Sequence, residues 1–324
     1  MSTISASTTT TTAYKVVADT TGSLVLQTGA TPTTAMTIDS SQYTTLPALA
    51  DPTAPSAGNL KTYAKTIAGG YTAPAFLNAT NAAVVLQPAF ANKRVVTIGF
   101  QSSTTSVTNY NTSTLTGTVT AVAPTTTNLF TRAVRGTFVS TSTAGTFGNY
   151  YSSIASFTLG SATSPAYGGF YYVLRFGISD TVANPRTFVG LSSSTVGPTN
   201  VEPSTLTNVI GVGQGASDTN LKIYYGGSAA QTAIDLGASF PTNTSNTDWY
   251  ELTLFAPPTS ANTVYYQVIR LNTGDKASGT LTGTAGTALP LNTTYLAPRH
   301  WRTNNATASA VTLSLGNIYI ETDY

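Results

Sequence analysis

The sequence predicts an all-β protein. The expected form is one large antiparallel β-sandwich, of sandwich or jelly-roll type, behind a small N-terminal β-module and a proline-rich connector. Three observations carry this reading. From Arg94 onward, short apolar segments recur with the period-two alternation of strands. Clusters of Gly, Pro, Asn and Asp separate them. No stretch after Phe100 has a helical period, so no crossover helices are available to join parallel strands.

In chain order, residues 1–12 are a low-complexity, threonine-rich arm. Segments 14–17, 23–27 and 35–39 read as short strands separated by Gly22 and residues 29–32. A sheet that small is marginal alone, so the module is expected to dock on another chain or to trimerise. Residues 46–58 carry Pro47, Pro52 and Pro55 and read as an extended linker. Segment 60–68 fits a strand better than a helix, and Pro74 and Pro88 are expected to break the chain on either side of 82–86. The expected domains are therefore an attachment module at 1–50, a connector at 51–92 and the sandwich at 93–324.

Within the sandwich, segment 170–178 is the clearest strand. Phe170, Tyr172, Leu174, Phe176 and Ile178 alternate onto one wholly apolar face. The opposite face carries Tyr171, Val173, Arg175 and Gly177. Segments 249–255 and 263–269 repeat this pattern, with large apolar groups on both faces. A second apolar face needs a cover, so Tyr171, Val173 and Arg175 are expected at or near a subunit interface. Further strands are expected at 94–100, 115–123, 135–139, 187–191, 208–213, 221–225, 278–283 and 310–320.

Composition narrows the function. Only 8% of residues are charged, against roughly 25% in an ordinary globular domain. The 41% hydrophobic content still suffices for a core. A net charge of +2 gives no field for nucleic acid. Between Pro52 and Ser179 there is no acid, while Lys61, Lys65, Lys93, Arg94, Arg132, Arg135 and Arg175 all fall there. That block could face an anionic partner; the simpler reading is sparse solvated charge. The absence of cysteine excludes disulfides and thiolate chemistry. The N-terminus lacks the basic start and apolar core of a secretory signal, and no segment has the roughly 20 apolar residues of a membrane helix. Such a polar β-chain with no visible export route suits a virion component released by lysis.

Several short segments point the same way. Residues 35–42, 60–69, 86–89, 188–191, 208–213, 234–237, 296–298 and 319–324 together resemble fibre-like structural proteins of tailed bacteriophages. The resemblance implies a virion protein with an N-terminal attachment module, a C-terminal lectin-like or jelly-roll sandwich and a homotrimeric assembly. It offers no agreed catalytic set, so no active-site residues carry over, and no cofactor or metal site is read from the sequence. The function expected is that of a tail-fibre adhesin contacting host surface polysaccharide, displayed on the particle; the alternative is a capsid decoration, head-fibre or collar protein without a receptor.

Candidate chemistry is sparse. His300 is the single histidine, so any serine–histidine–aspartate triad must use it, and no nucleophile-elbow pattern supplies the serine. Asp218, Asp235, Asp248 and Glu251 are the acids available to a glycosidase, with no spacing that places two of them in one cleft. Asp218 with Asn220, and Asp180 with Asn184, read as turns rather than cation loops. Glycan binding fits better, because aromatic faces stack on sugar rings while amides bond their hydroxyls. Tyr224, Tyr225, Trp301, Asn304 and Asn305 are the candidates, expected at strand ends or loops; Trp249 is assigned to the core.

Overall fold

The computed structural model describes residues 22–28, 33–48, 50–79, 83–85, 94–100, 113–163, 166–242 and 244–322. The arm and the candidate strand at 14–17 lie outside the described residues. The chain divides into two compact units, 1–87 and 88–324.

Among its described residues, the first unit holds two three-stranded sheets. One is β1 (Leu24–Thr28), β2 (Thr33–Ile38) and β3 (Thr44–Thr45). Asp39 shapes the turn into β3: its Oδ1 accepts from the backbone of Ser41 and Tyr43 at 2.9 and 3.0 Å. The other sheet is β4 (Leu60–Ala68), β5 (Tyr71–Asn78) and β6 (Ala83–Val85). Residues 51–92, expected as a connector, thus contain a sheet. Gly69 and Gly70 supply the positive φ of the β4–β5 turn. Pro74 does not break the chain. It lies within β5 opposite Ala64, its ring outward, and β6 pairs only with Ala75, Phe76 and Leu77, where N–H donors are present.

The second unit is the sandwich. Its strands are β7 (Arg94–Ile98), β8 (Ser113–Thr116), β9 (Thr118–Ala121), β10 (Gly136–Val139), β11 (Phe147–Ser152), β12 (Phe170–Ile178) and β13 (Arg186–Ser192). They continue with β14 (Val209–Gln214), β15 (Lys222–Gly226), β16 (Ile234–Asp235), β17 (Trp249–Ala256), β18 (Thr263–Arg270), β19 (Asp275–Thr282), β20 (Ala297–Thr303) and β21 (Thr312–Thr322). A one-turn helix, α1 (Leu129–Arg132), precedes β10. The front sheet has seven strands, ordered β16-β15-β14-β13-β20-β11-β8. The back sheet has eight, ordered β19-β18-β17-β12-β21-β10-β9, with β7 also on β21. Every pairing between these strands is antiparallel.

The core fills the space between the sheets. Phe170, Tyr172, Leu174, Phe176 and Ile178 of β12 are all buried there, facing Val189, Leu191, Ile210, Val212 and Ile223 of the front sheet. The segment expected as one strand at 115–123 is two strands in different sheets. Gly117, with φ +91°, makes the crossing, and a methyl group there would lie 2.3 Å from the Val139 carbonyl oxygen.

The second apolar faces have covers within the chain. On the back sheet, Trp249 meets Phe130 of α1 edge-to-face at 5.4 Å, and Gly177 leaves room for that ring. On the front sheet, Phe188, Val209, Tyr224 and Trp301 form a second apolar cluster, against which Leu206 and Ala233 pack. An apolar second face therefore does not by itself require a subunit: for these residues, loops and a helix turn of the same chain exclude the water.

Tyr171, Val173 and Arg175 stand on the outer back sheet. Tyr171 and Val173 are half-buried, and the Tyr171 ring meets Phe255 and Tyr319 edge-to-face at 6.4 Å each. Arg175 is 55% exposed, and its Nε donates to Glu251 Oε2 at 2.7 Å. Of the acid-free block, Lys65 pairs with Asp51. Arg135 donates to the carbonyls of Phe130 and Ala133 and lies over the Phe130 ring at 4.4 Å.

Candidate functional site

The outer front sheet is the most elaborated surface of the sandwich. Cross-strand register places Thr116, Asn149, Trp301, Phe188, Gly213 and Lys222 in one row. The neighbouring row holds Thr114, Tyr151, Arg299, Gly190, Gly211 and Tyr224. The connection from β13 to β14 is tied across this face. Arg299 donates to the carbonyls of Ser194 and Gly197 at 3.0 and 3.1 Å. Farther along, Arg186 donates to Asn200 and to Glu202, the latter at 2.7 Å.

At the rim, two carboxylates converge. Asp218 accepts from Lys222 at 2.5 Å, from Tyr224 at 2.6 Å and from the Gly215 N–H at 2.8 Å. Glu202 accepts from Arg186 and, through Oε2, from the Ala216 N–H at 3.2 Å. Gly215 sits between them: a methyl group there would lie 2.8 Å from Glu202 Oε2 and 3.0 Å from Asp218 Oδ2. Burial alone would raise the Asp218 pKa, but the hydrogen bonds from Lys222, Tyr224 and Gly215 outweigh it and hold it below its ordinary value. Burial and the bond to Asp218 push the Tyr224 hydroxyl well above its ordinary value. A fixed carboxylate without a retained proton is an acceptor rather than a general acid. Glu202 is 34% exposed and Lys222 27%, so each can offer further bonding capacity to a ligand hydroxyl.

The residues named from sequence land unevenly. Trp301 is 1% exposed, Tyr224 is buried at the rim with its hydroxyl on Asp218, and Tyr225 packs half-buried against the main core. Asn304 is an interior staple: its Nδ2 donates to the carbonyls of Thr143 and Ser309, each at 2.9 Å, and its Oδ1 accepts from the Thr146 N–H. Asn305 takes a left-handed turn with φ 52°. Trp301 and Tyr224 sit inside strands β20 and β15, and Asn304 in the turn that follows β20, rather than in open loops. In the folded chain the Trp301 and Tyr224 rings and the Asn304 amide are all shielded from solvent. Arg186, Glu202 and Lys222 are isolated charges in separate segments and carry no shared sequence pattern that would mark them.

The other candidates have structural partners. Nδ1 of His300 accepts from the Gly190 N–H at 3.2 Å, so the ring proton sits on Nε2, facing the Tyr172 hydroxyl at 3.4 Å. Its ring stacks on Tyr150 at 5.9 Å. Burial pushes its pKa down to about 3, opposed by the Arg299 backbone. Asp180 receives Nε and Nη2 of Arg302, both at 2.8 Å, together with the Thr312 N–H. Asp248 pairs with Arg270 at 2.9 Å, Glu251 with Arg175, and Asp235 accepts from Asn220. Among the described residues, no three His, Cys, Asp or Glu side chains converge as a metal-ligand set. No helix among them is long and apolar enough to cross a membrane.

No family model and no curated protein matches this sequence. Solved structures do resemble the fold. Peanut lectin in complex with a nine-residue peptide is 9% identical, covers 72% of this chain and 98% of its own, and has a TM-score of 0.48. Arcelin-5, a lectin-like defense protein from Phaseolus vulgaris, is 9% identical over 72% of this chain and 99% of its own, with a TM-score of 0.46. Lectin I from Ulex europaeus, in complex with the methyl glycoside of α-L-fucose, is 11% identical over 72% and 99%, also at 0.46. At these scores the likeness transfers neither a residue role nor a ligand.

Proposed function

We propose that this chain is a non-enzymatic structural protein of a bacteriophage particle, a trimeric fibre-like adhesin that contacts host surface glycans through the outer front sheet. The observation that carries the glycan reading is the rim around Gly215. There Glu202, Asp218, Lys222 and Arg186 fix donors and acceptors side by side at partly exposed positions. Vicinal sugar hydroxyls both donate and accept, so such an array suits them, while a charge-poor surface rich in Thr, Ser and Asn suits a neutral polymer. The virion part rests on the ordered sequence resemblance. In this reading residues 1–50 attach to another particle component, residues 51–92 connect, and the face bearing Tyr171, Val173 and Arg175 joins the subunits.

A decoration, head-fibre or collar role is the second reading. The half-buried tyrosines of the back sheet favour it, since they suit assembly without a receptor. Binding of the full chain to host cells, with purified surface polysaccharide as competitor, separates the two. The adhesin reading expects competition, and expects Glu202→Gln with Lys222→Gln to weaken binding roughly tenfold, about 1.4 kcal/mol. Binding that polysaccharide cannot compete, or no binding at all, would leave the assembly role.

A further inference from the structure

The least explained polar group in the sandwich is Asn149. It lies in the middle of β11, its residue fully buried at 0% exposure. Neither Oδ1 nor Nδ2 has a hydrogen-bond partner among the described residues. A buried carboxamide with both ends unpaired is costly, and native interiors rarely keep one without a reason. The inward residue of this part of β11 is Tyr150, in the main core, so Asn149 belongs to the outer front face. Its direct cross-strand neighbours there are Thr116 and Trp301.

We propose that Asn149 is the recognition group of a covered sugar subsite, formed with the edge of Trp301 and reached when the strap at 194–200 lifts. This rests on the glycan reading above and names a position within it. The strap crosses this part of the face: a methyl group at Gly197 would lie 3.9 Å from the hydroxyl of Tyr151, two residues along β11 from Asn149. From the sheet beneath, Arg299 holds it by two bonds to carbonyl oxygens, Ser194 and Gly197. Farther along, Asn200 accepts from Arg186 and Thr303. These few polar bonds can be exchanged for bonds to a ligand. A carboxamide presents one acceptor and two donor hydrogens side by side, the complement of a vicinal diol. A neutral, hydroxyl-rich sugar would satisfy both ends of Asn149 and place an apolar ring face near the indole.

The test compares full-length wild type with Asn149→Leu and Asn149→Ser in thermal unfolding, with and without methyl glycosides of neutral hexoses and N-acetylhexosamines at millimolar concentration. Leu is close to Asn in shape and removes the unpaired amide, so this variant is expected to fold at least as stably without sugar. The proposal expects at least one glycoside to raise the wild-type midpoint. It expects that shift to vanish in Asn149→Leu and the affinity to fall roughly tenfold or more in Asn149→Ser. Hydrogen exchange in 194–200 should change with the same sugar in wild type only. Equal shifts in all three proteins would overturn the subsite and leave the glycan reading standing. So would polysaccharide binding without any glycoside shift in wild type. A wild type that binds neither glycoside nor polysaccharide would overturn both.

Discussion

His300 is an ionisable ring in a dry core, and that sets a pH dependence. The unfolded chain protonates it near the ordinary value of about 6.5, whereas the folded chain holds it neutral down to about 3. Between those values the unfolded state binds the extra proton. Stability contributed by His300 is therefore complete above the unfolded value and declines as pH falls through the window, by at most about 1.4 kcal/mol per unit. Chemical denaturation between about pH 7 and 5, above the main carboxylate range, should show this slope in wild type and a flatter one in His300→Gln; equal slopes would remove His300 as the cause. Asp180 is the other decisive single residue. Its oxygens take the Arg302 fork and the Thr312 N–H, joining the front and back sheets at one end of the sandwich. Asp180→Ala would strand a guanidinium that is itself fully buried. The expected cost is about 3–5 kcal/mol, read as a lower denaturation midpoint.

Strand β20 shows where elements could and could not be read from sequence. The period-two rule finds β12, β17 and β18, because their inward residues are uniformly apolar. It misses β20, the strand between β13 and β11, because Arg299, His300 and Arg302 look like surface residues. Each is accommodated by a partner distant in sequence: the strap carbonyls, Gly190 with Tyr172, and Asp180. No local pattern encodes such pairings. The same limit hid the rim: Asp218 and Lys222 pair within the β14–β15 turn, but Glu202 reaches that turn, at the Ala216 N–H, only once the β13–β14 connection has folded back. Helix α1 is too short to show a period, and its worth is the Phe130 ring over Trp249 and Gly177. Phe130→Ala should cost about 3–5 kcal/mol, as truncations of buried aromatic rings do. Near-UV circular dichroism should change at the same time, as Trp249 loses its neighbour. An unchanged midpoint would mean that α1 does not cover the back sheet in solution.

At the scale of the whole molecule, two faces divide the work. The back sheet presents Tyr171, Tyr265 and Tyr319, with Val173 and the Arg175–Glu251 pair beside them. In the proposed assembly that face joins subunits. Sedimentation of the full chain should give the mass of a trimer, and Tyr171→Glu with Val173→Glu should shift it toward monomer. A wild-type monomer would contradict the assembly. The front sheet carries the strap, the aromatic cluster and the charged rim. Its proposed engagement of glycan is the centre of the account, and hydrogen exchange of the full chain with and without host surface polysaccharide tests it most directly. The account predicts altered exchange across 186–218 and β20, with the outer back sheet unchanged. Exchange unaltered everywhere, or altered only on the back sheet, would contradict it.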